Sequence, residues 1–289
     1  MTVSTALRRA HAEPASDGAT RARATDVTLA ARIEGVGLIG PGLSGWTASR
    51  DVLRGNAAYA PAATAIPPPD ALPAVERRRA GKAVRIALAA GLEAAVAAGR
   101  SPAGMSAVFT SSTGDGDNIH AICEMLASSD RLISPTRFHN SVHNAPSGYW
   151  GIATGAQCAA DSLAAFDASF GAGLLEAMTR LAAEPAQPVL LIAYDAPYPE
   201  PLDAVRRIPA AFAVALALSA PASTTRRITV ALESGNPPAD TLDDPRLEQL
   251  RRAVPAARSL PLLRLLARGV AGSVTLDYLD GLALGVRCS

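Results

Sequence analysis

Ser162-Leu163-Ala164-Ala165-Phe166-Asp167-Ala168-Ser169-Phe170-Gly171-Ala172-Gly173-Leu174-Leu175-Glu176-Ala177-Met178-Thr179-Arg180-Leu181 is the stretch on which the fold turns. Leu163, Phe166, Phe170, Leu174, Met178 and Leu181 recur at steps of three and four, the spacing of one apolar face of a helix. Alanine and glycine fill the opposite face. The pattern predicts a helix from Ser162 onward, buried almost all round. One residue breaks it: Asp167 sits one turn inside, where a carboxylate is costly unless paired, solvated or facing a pocket.

Upstream, Val27 to Ile33 reads as a strand running into Gly35-Val36-Gly37-Leu38-Ile39-Gly40-Pro41-Gly42, a glycine turn, with Ser44 capping a short helix that carries Trp46 and ends near Gly55. Ala60 to Pro73 is proline-dense and predicts an extended surface loop. Glu76 to Ala98 is an Ala-rich helix ending at Gly99. Met105 to Thr110 is a strand closed by the polar turn Ser111 to Gly116, and a further helix runs from about Asn118 to Ala127. Ser134 to Tyr149 reads as a loop. Downstream, Val189 to Ala193, Phe212 to Leu218 and Ile228 to Leu232 are apolar strands. The tail offers a charged helix (Arg246 to Val254), a Leu-rich one (Leu260 to Ala267) and strands near Val274 to Tyr278 and Leu282 to Val286. Strands alternating with helices predict an α/β protein with a mixed sheet.

Composition narrows the function. Apolar residues make up 49 % of the 289 and charged residues 18 %, ample for a buried core, while aromatics are only 4 %. Net charge is +1, which leaves no electrostatic footprint for nucleic acid or an anionic membrane. The densest basic cluster, Arg77-Arg78-Arg79, reads as a solvated helix start. Cys123, Cys158 and Cys288 form no CxxC pair, against both a disulfide framework and a zinc site, so a reducing cytosol is the expected home. Ile208 to Ala220 is too short to span a bilayer, and residues 1–26 read as a disordered leader rather than a secretory signal. No cofactor or metal is expected.

Gly35-x-Gly37-x-x-Gly40 fits the dinucleotide fingerprint by letters, but Pro41-Gly42 delays helix entry and no acid follows at the required distance, so a structural turn is the better reading. His139 and His143 stand four apart, but Pro146 and Gly148 argue against a helix and no acidic partner lies between them, which favours packed loop histidines over a metal pair. Cys158 is the default nucleophile candidate. It precedes the helix start by several residues, a poor position for a lowered thiol pKa, and a small buried filler suits it better.

Taken in order, Gly35 to Trp46, Ser111 to Gly116, Pro135 to Gly148 with Gly155, the strand leading to Asp195, and Phe212 to Leu218 resemble the N-terminal half of β-ketoacyl synthases. The resemblance covers roughly Ala30 to Gly235. It implies a thiolase-like α/β fold, layered, with a mixed sheet and a buried central helix. The implied layout is a leader at 1–26, a ketosynthase-like domain at 27–235 and a short C-terminal extension at 236–289 packing on the same core.

The departures from that family matter more. Its nucleophilic cysteine stands in an Ala-Cys-x-Ser-Gly elbow, where this chain reads Phe166-Asp167-Ala168-Ser169-Phe170, making Asp167 the nucleophile-equivalent position. Its two catalytic histidines come from the second half, but no histidine follows His143 here. The tail of about 55 residues is expected to be too short for a second repeat. The resemblance therefore implies a non-catalytic partner of the chain-length-factor type, and the short form with Ser141-Val142-His143-Asn144-Ala145 and Gly148-Tyr149-Trp150 resembles the partner subunit of aryl-polyene pigment biosynthesis. It would form a cytoplasmic heterodimer with an active ketosynthase subunit, with an acyl carrier protein as a further candidate partner. Phe138, His139, His143, Asn144, Phe166 and Phe170 are candidates for pocket or loop roles. Val189 to Ala193, Tyr149 and Trp150 are candidates for the dimer face. Two alternatives remain open: a free-standing acyl-transfer enzyme using Cys158 or Asp167 with His139 or His143, and a nucleotide-binding protein built on Gly35 to Gly40.

Overall fold

The computed structural model describes residues 28–221, 227–235 and 237–289. The expected leader at 1–26 lies outside the described residues. In chain order the strands are β1 (Leu29–Gly40), β2 (Leu43–Ser44), β3 (Ser106–Thr110), β4 (Ala160–Leu163), β5 (Val189–Asp195), β6 (Phe212–Ser219), β7 (Ile228–Ser234), β8 (Gly272–Asp277) and β9 (Leu282–Cys288). The helices are α1 (Trp46–Arg54), α2 (Ala74–Arg79), α3 (Lys82–Ala97), α4 (Gly116–Ala127), α5 (Pro135–His139), α6 (Ala145–Thr154), α7 (Ser169–Ala183), α8 (Leu202–Val205), α9 (Pro245–Ala253) and α10 (Leu260–Arg268).

One mixed sheet runs in the order β4-β3-β5-β6-β1-β7-β9-β8, with β2 attached to β1. β4, β3 and β5 are parallel and the remaining pairs antiparallel. The period of two in the central strands splits their side chains between two cores. Val189, Leu191, Val214, Leu216 and Leu218 pack with Phe170, Leu174 and Met178 of α7 and with Leu260 and Leu263 of α10. Leu190, Ile192, Ala213, Ala215 and Ala217 pack on the other face, against Ala87, Ala90 and Ala94 of α3. The α/β class and the layered mixed sheet are as expected, and α9, α10, β8 and β9 form where the tail's periodicity put them.

The glycine run is a correction. Gly35 to Gly40 is not a turn but the second half of β1, paired with β6. A Cβ on Gly37 would lie 2.0 Å from the carbonyl oxygen of Ala90, and one on Gly35 2.1 Å from that of Ala94. The glycines, with the alanines of β6 beside them, let α3 approach the sheet at backbone distance. The turn comes at Pro41-Gly42, where Gly42 has φ +66°. Ser44 caps nothing: Gly45 is the N-cap, and the Glu93 carboxylate accepts from Trp46 N (2.6 Å) and Leu38 N (2.9 Å) in its place.

Three other expectations shift. The helix expected over Glu76 to Ala98 breaks at the extended Ala80 into α2 and α3. The loop expected over Ser134 to Tyr149 contains α5 and the start of α6, because Pro135 and Pro146 each occupy a first turn, where a missing N–H costs nothing. The central helix begins at Ser169, not Ser162; its face bearing Glu176, Thr179 and Arg180 is not buried. What precedes it is strand β4 and a 3₁₀ turn over Phe166–Ala168.

Candidate functional site

The passage from β4 to α7 is a strand-to-helix elbow. Its apex, Phe166, holds φ +50°, a left-handed conformation rare for a side chain with a Cβ. Such strained elbows are how α/β folds present a reactive side chain at a helix N-terminus. Ser169 fastens it, its hydroxyl donating to Phe166 O (2.7 Å) and accepting from Ala165 N (3.1 Å). Phe166 is 64 % exposed, and the Arg206 guanidinium lies 3.7 Å from its ring centroid.

Asp167 follows directly, in the entry turn and not inside the helix. Its carboxylate is paired on one side by Arg206 and on the other by Arg258 (3.0 Å). Neither arginine stands out locally in the sequence, and the pairings span 39 and 91 residues. Arg258 continues to Asp277 (3.5 Å), Asp277 to Arg251 (2.6 Å) and Arg251 to Glu248 (2.8 Å). Glu248 is held down to about 2, first by its hydrogen bond from Arg251.

A second carboxylate closes the arrangement. Asp195, at the end of β5, is fully buried. Its Oδ1 accepts from Ser112 N (2.8 Å), Thr113 N (3.0 Å) and Ser111 Oγ (3.2 Å), and its Oδ2 from Ala256 N (2.7 Å). Burial raises its pKa to about 6 against the pull of those donors. Ser112 Oγ in turn accepts from Arg206 (2.9 Å). The contacts form a ring: Asp195 fixes the turn after β3, which carries Ser112, the acceptor for Arg206, and the segment at Ala256, which carries Arg258 itself, and both arginines converge on Asp167.

The remaining sequence candidates gather only partly around this ring. His143 Nε2 donates to Ser111 O (3.1 Å), which brings it to the turn after β3. His139 stacks edge-on against Tyr149 at 6.4 Å, Phe138 is 68 % exposed, and Asn144 is the N-cap of α6 without a side-chain bond. Phe170 is a core residue. Cys158 Sγ meets Ala103 O at 3.5 Å and Gln187 Nε2 at 3.8 Å, so among the described residues its polar contacts are a carbonyl and an amide, with no imidazole. Among the described residues, no group of three or more His, Cys, Asp and Glu is placed to hold a metal, and no helix is long and apolar enough to cross a membrane.

The expected dimer face is corrected. Val189 to Ala193 is an interior strand, hydrogen-bonded on both sides, and Tyr149 and Trp150 are 1 % and 2 % exposed. The sheet's two ends differ instead. On the β8 edge, Asp240 N donates to Thr275 O (2.9 Å) and its carboxylate accepts from Thr275 N (2.7 Å), which blunts that strand for pairing. Strand β4 has no such cover among the described residues. Its Ala159 and Leu163 carbonyls accept from β3, so the alternate residues Ala160 and Ser162 turn their backbone groups outward. Exposed Ile152 lies on α6, the helix that precedes β4, exposed Phe166 at the elbow that follows it, and exposed Leu202 and Val205 on α8, next to the Arg206 that contacts the elbow.

A separate cleft of about 400 Å³ is lined by Arg78, Arg79, Lys82 and Arg137, with Asp115 and Asp117 on its wall. Lys82 pairs with Asp117 (3.1 Å) and Arg79 with Glu76 (3.1 Å).

The family model "Beta-ketoacyl synthase, N-terminal domain" matches residues 50–272. Among solved structures, the chain is similar to one of a ketosynthase (ApeO) in complex with its chain length factor (ApeC) from Xenorhabdus doucetiae: 24 % identity, TM-score 0.68, covering 90 % of this chain and 99 % of that one. It is similar to the ishigamide ketosynthase/chain length factor at 15 % identity and TM-score 0.65, over 90 % and 99 % of the two chains. A third similarity is to AntDE:AntF, a type II polyketide synthase acyl-carrier protein in complex with its ketosynthase: 11 % identity, TM-score 0.71, over 91 % and 99 %. At these identities the likeness is one of fold. No protein of curated function matches the chain.

Proposed function

The chain belongs to the β-ketoacyl synthase N-terminal domain family, and from that premise we propose that it is a non-catalytic, chain-length-factor-type subunit that pairs with an active β-ketoacyl synthase in polyketide assembly of the aryl-polyene type. One observation carries the reading: the elbow keeps its strained form but presents no sulfur. The apex is Phe166, and the next side chain, Asp167, is held by two arginines. A thiolate attacks an acyl thioester and is regenerated; a phenyl ring cannot, and a carboxylate would form a labile anhydride. Asp167, matched to the nucleophile by the sequence pattern, thus stands one residue past the strained position, and neither residue is a thiol.

The open β4 edge supports pairing. A strand with outward N–H and C=O groups beside exposed apolar side chains is a template for another chain's strand. The similar structures are titled as ketosynthases with chain length factors, and one as a ketosynthase with an acyl-carrier protein. The basic lip of the Arg78–Arg137 cleft suits an acidic carrier protein as a further partner.

Co-expression with a cysteine-bearing ketosynthase tests the proposal. The expected result is a stable heterodimer that Ser162→Pro abolishes, since proline removes an outward N–H at the edge and leaves the β3 ladder intact. Condensing activity from the chain alone, or a heterodimer indifferent to Ser162→Pro, would refute it.

A further inference from the structure

The β4 edge also indicates which strand it rejects. This rests on the proposed pairing through β4 and deepens it. Two copies of β4 meeting edge to edge about a two-fold axis normal to the sheet must run antiparallel. Residues facing each other then lie on the same side of the sheet. The outward backbone groups belong to Ala160 and Ser162. The register that bonds both of them in each copy pairs Ala160 with the second copy's Ser162 and Ser162 with its Ala160. That register sets Asp161 directly opposite itself, in the wide pair without backbone bonds, where Cα atoms stand only about 4.5 Å apart. Slipping the copies by one pairing step in either direction keeps fewer bonds and leaves the two Asp161 side chains on the diagonal, about 7–8 Å apart.

Asp161 does not stand alone. It pairs with Arg180 on α7, whose other acidic neighbour, Glu176, lies 3.8 Å away. The three side chains therefore carry one net negative charge per copy, and Asp161 is half exposed. A self-pair would bring two such clusters together at the axis, where like charges opposite one another in a sheet are unfavourable. The other end of the sheet gives no alternative, because Asp240 occupies the β8 edge.

We propose that Asp161, with Glu176 and Arg180, disfavours pairing of this chain with itself and selects a different, homologous chain whose edge strand carries a neutral or basic residue opposite Asp161. Specificity of this kind comes as much from the penalised wrong pair as from the right one.

Sedimentation equilibrium on the full chain tests this. Asp161→Asn leaves Glu176 and Arg180 to neutralise each other and is expected to tighten self-association about fivefold, the upper end for one opposed like-charge pair. Added salt should tighten the wild-type self-pair and leave that of Asp161→Asn nearly unchanged. Asp161→Lys mixed with wild type should form the mixed dimer in preference to either self-pair. Wild-type chain that self-associates as tightly as Asp161→Asn, or an Asp161→Lys mixture that sorts at random, would overturn the inference. If wild type self-associates in that way yet still binds a ketosynthase, only the selectivity fails. If Asp161→Asn gains self-association but wild type binds no ketosynthase, the partner reading fails and the edge argument stands.

Discussion

Replacing Gly37 with alanine puts a methyl carbon 2.0 Å from the Ala90 carbonyl oxygen and 2.9 Å from its carbon. Ordinary contact needs at least 3.4 Å, so α3 must withdraw from β1 by about 1.4 Å. Neither atom belongs to a side chain that could rotate away. Both sit on regular backbone, and α3 is also pressed against the alanines of β6. Overpacking commonly costs 1–3 kcal/mol, and a backbone-on-backbone clash belongs at the top, so we expect about 3 kcal/mol. At 2–4 °C per kcal/mol for a chain of roughly this size, the melting midpoint should fall by about 6–12 °C. Gly148→Ala is the control: it lies within α6 with nothing within 4 Å of its Cβ position, so alanine should leave stability unchanged or raise it. Calorimetry on the two variants beside wild type, with and without millimolar nucleotide, reads the result. A Gly37→Ala protein melting with wild type would refute the packing argument. A nucleotide-induced rise in wild type that is lost in Gly37→Ala would revive the fingerprint reading.

Asp195 gives a pH signature. Burial lifts its folded pKa to about 6, above the unfolded value of about 3.9, so folding takes up a proton between the two. Its contribution is therefore greatest below about pH 4 and is lost as pH rises through 6, by about 3 kcal/mol. The difference between wild type and Asp195→Asn in urea denaturation should trend that way; a flat difference from pH 4 to 7 would sink the assignment. At the elbow, neither Phe166→Cys nor Asp167→Cys should restore decarboxylation of a malonyl thioester, since no imidazole is in contact with the elbow among the described residues. Measured carbon dioxide release above wild type from either variant would contradict the non-catalytic reading.

Much of the fold was legible because its signals are periodic. The apolar runs of β5 and β6 and the Leu-rich α10 announce themselves within a few residues. The errors have physical causes. Gly-x-Gly-x-x-Gly fits both a phosphate turn and a strand under a close helix, and the deciding signal lies elsewhere: the alternate alanines Ala213, Ala215 and Ala217, matched by Ala90 and Ala94. Pro146 reads as a breaker and Pro135 falls within the expected loop, but at a first turn proline starts a helix. Strand β4 is four residues long, exposed at Ala160 and Asp161 and half-buried at Ser162 and Leu163, so nothing in it alternates strongly enough to interrupt the apparent stripe through Leu163 and Phe166. The run Val189 to Ala193, assigned to an interface for its greasiness, is apolar on both faces because a central strand between two helical layers must be. Arg206 and Arg258 could not be found locally, since only the fold brings them to Asp167.

The strain at Phe166 separates geometry from chemistry. A left-handed turn at a residue with a Cβ costs on the order of 1–2 kcal/mol and persists only where its surroundings enforce it. Here the enforcement reaches across the chain: Ser169 locks the turn from within, Arg206, bonded to Ser112, and Arg258, two residues past Ala256, grip the next side chain, and Asp195 binds the backbone at both Ser112 and Ala256. Arg258 belongs to the region after β7, so the C-terminal segment holds the elbow in shape. An elbow kept rigid without a nucleophile still places α7 and β4, the two elements that carry Arg180 and Asp161 to the open edge. Under the proposed partner role, the elbow persists because it sets that edge, and loss of its chemistry would leave the proposed pairing surface intact.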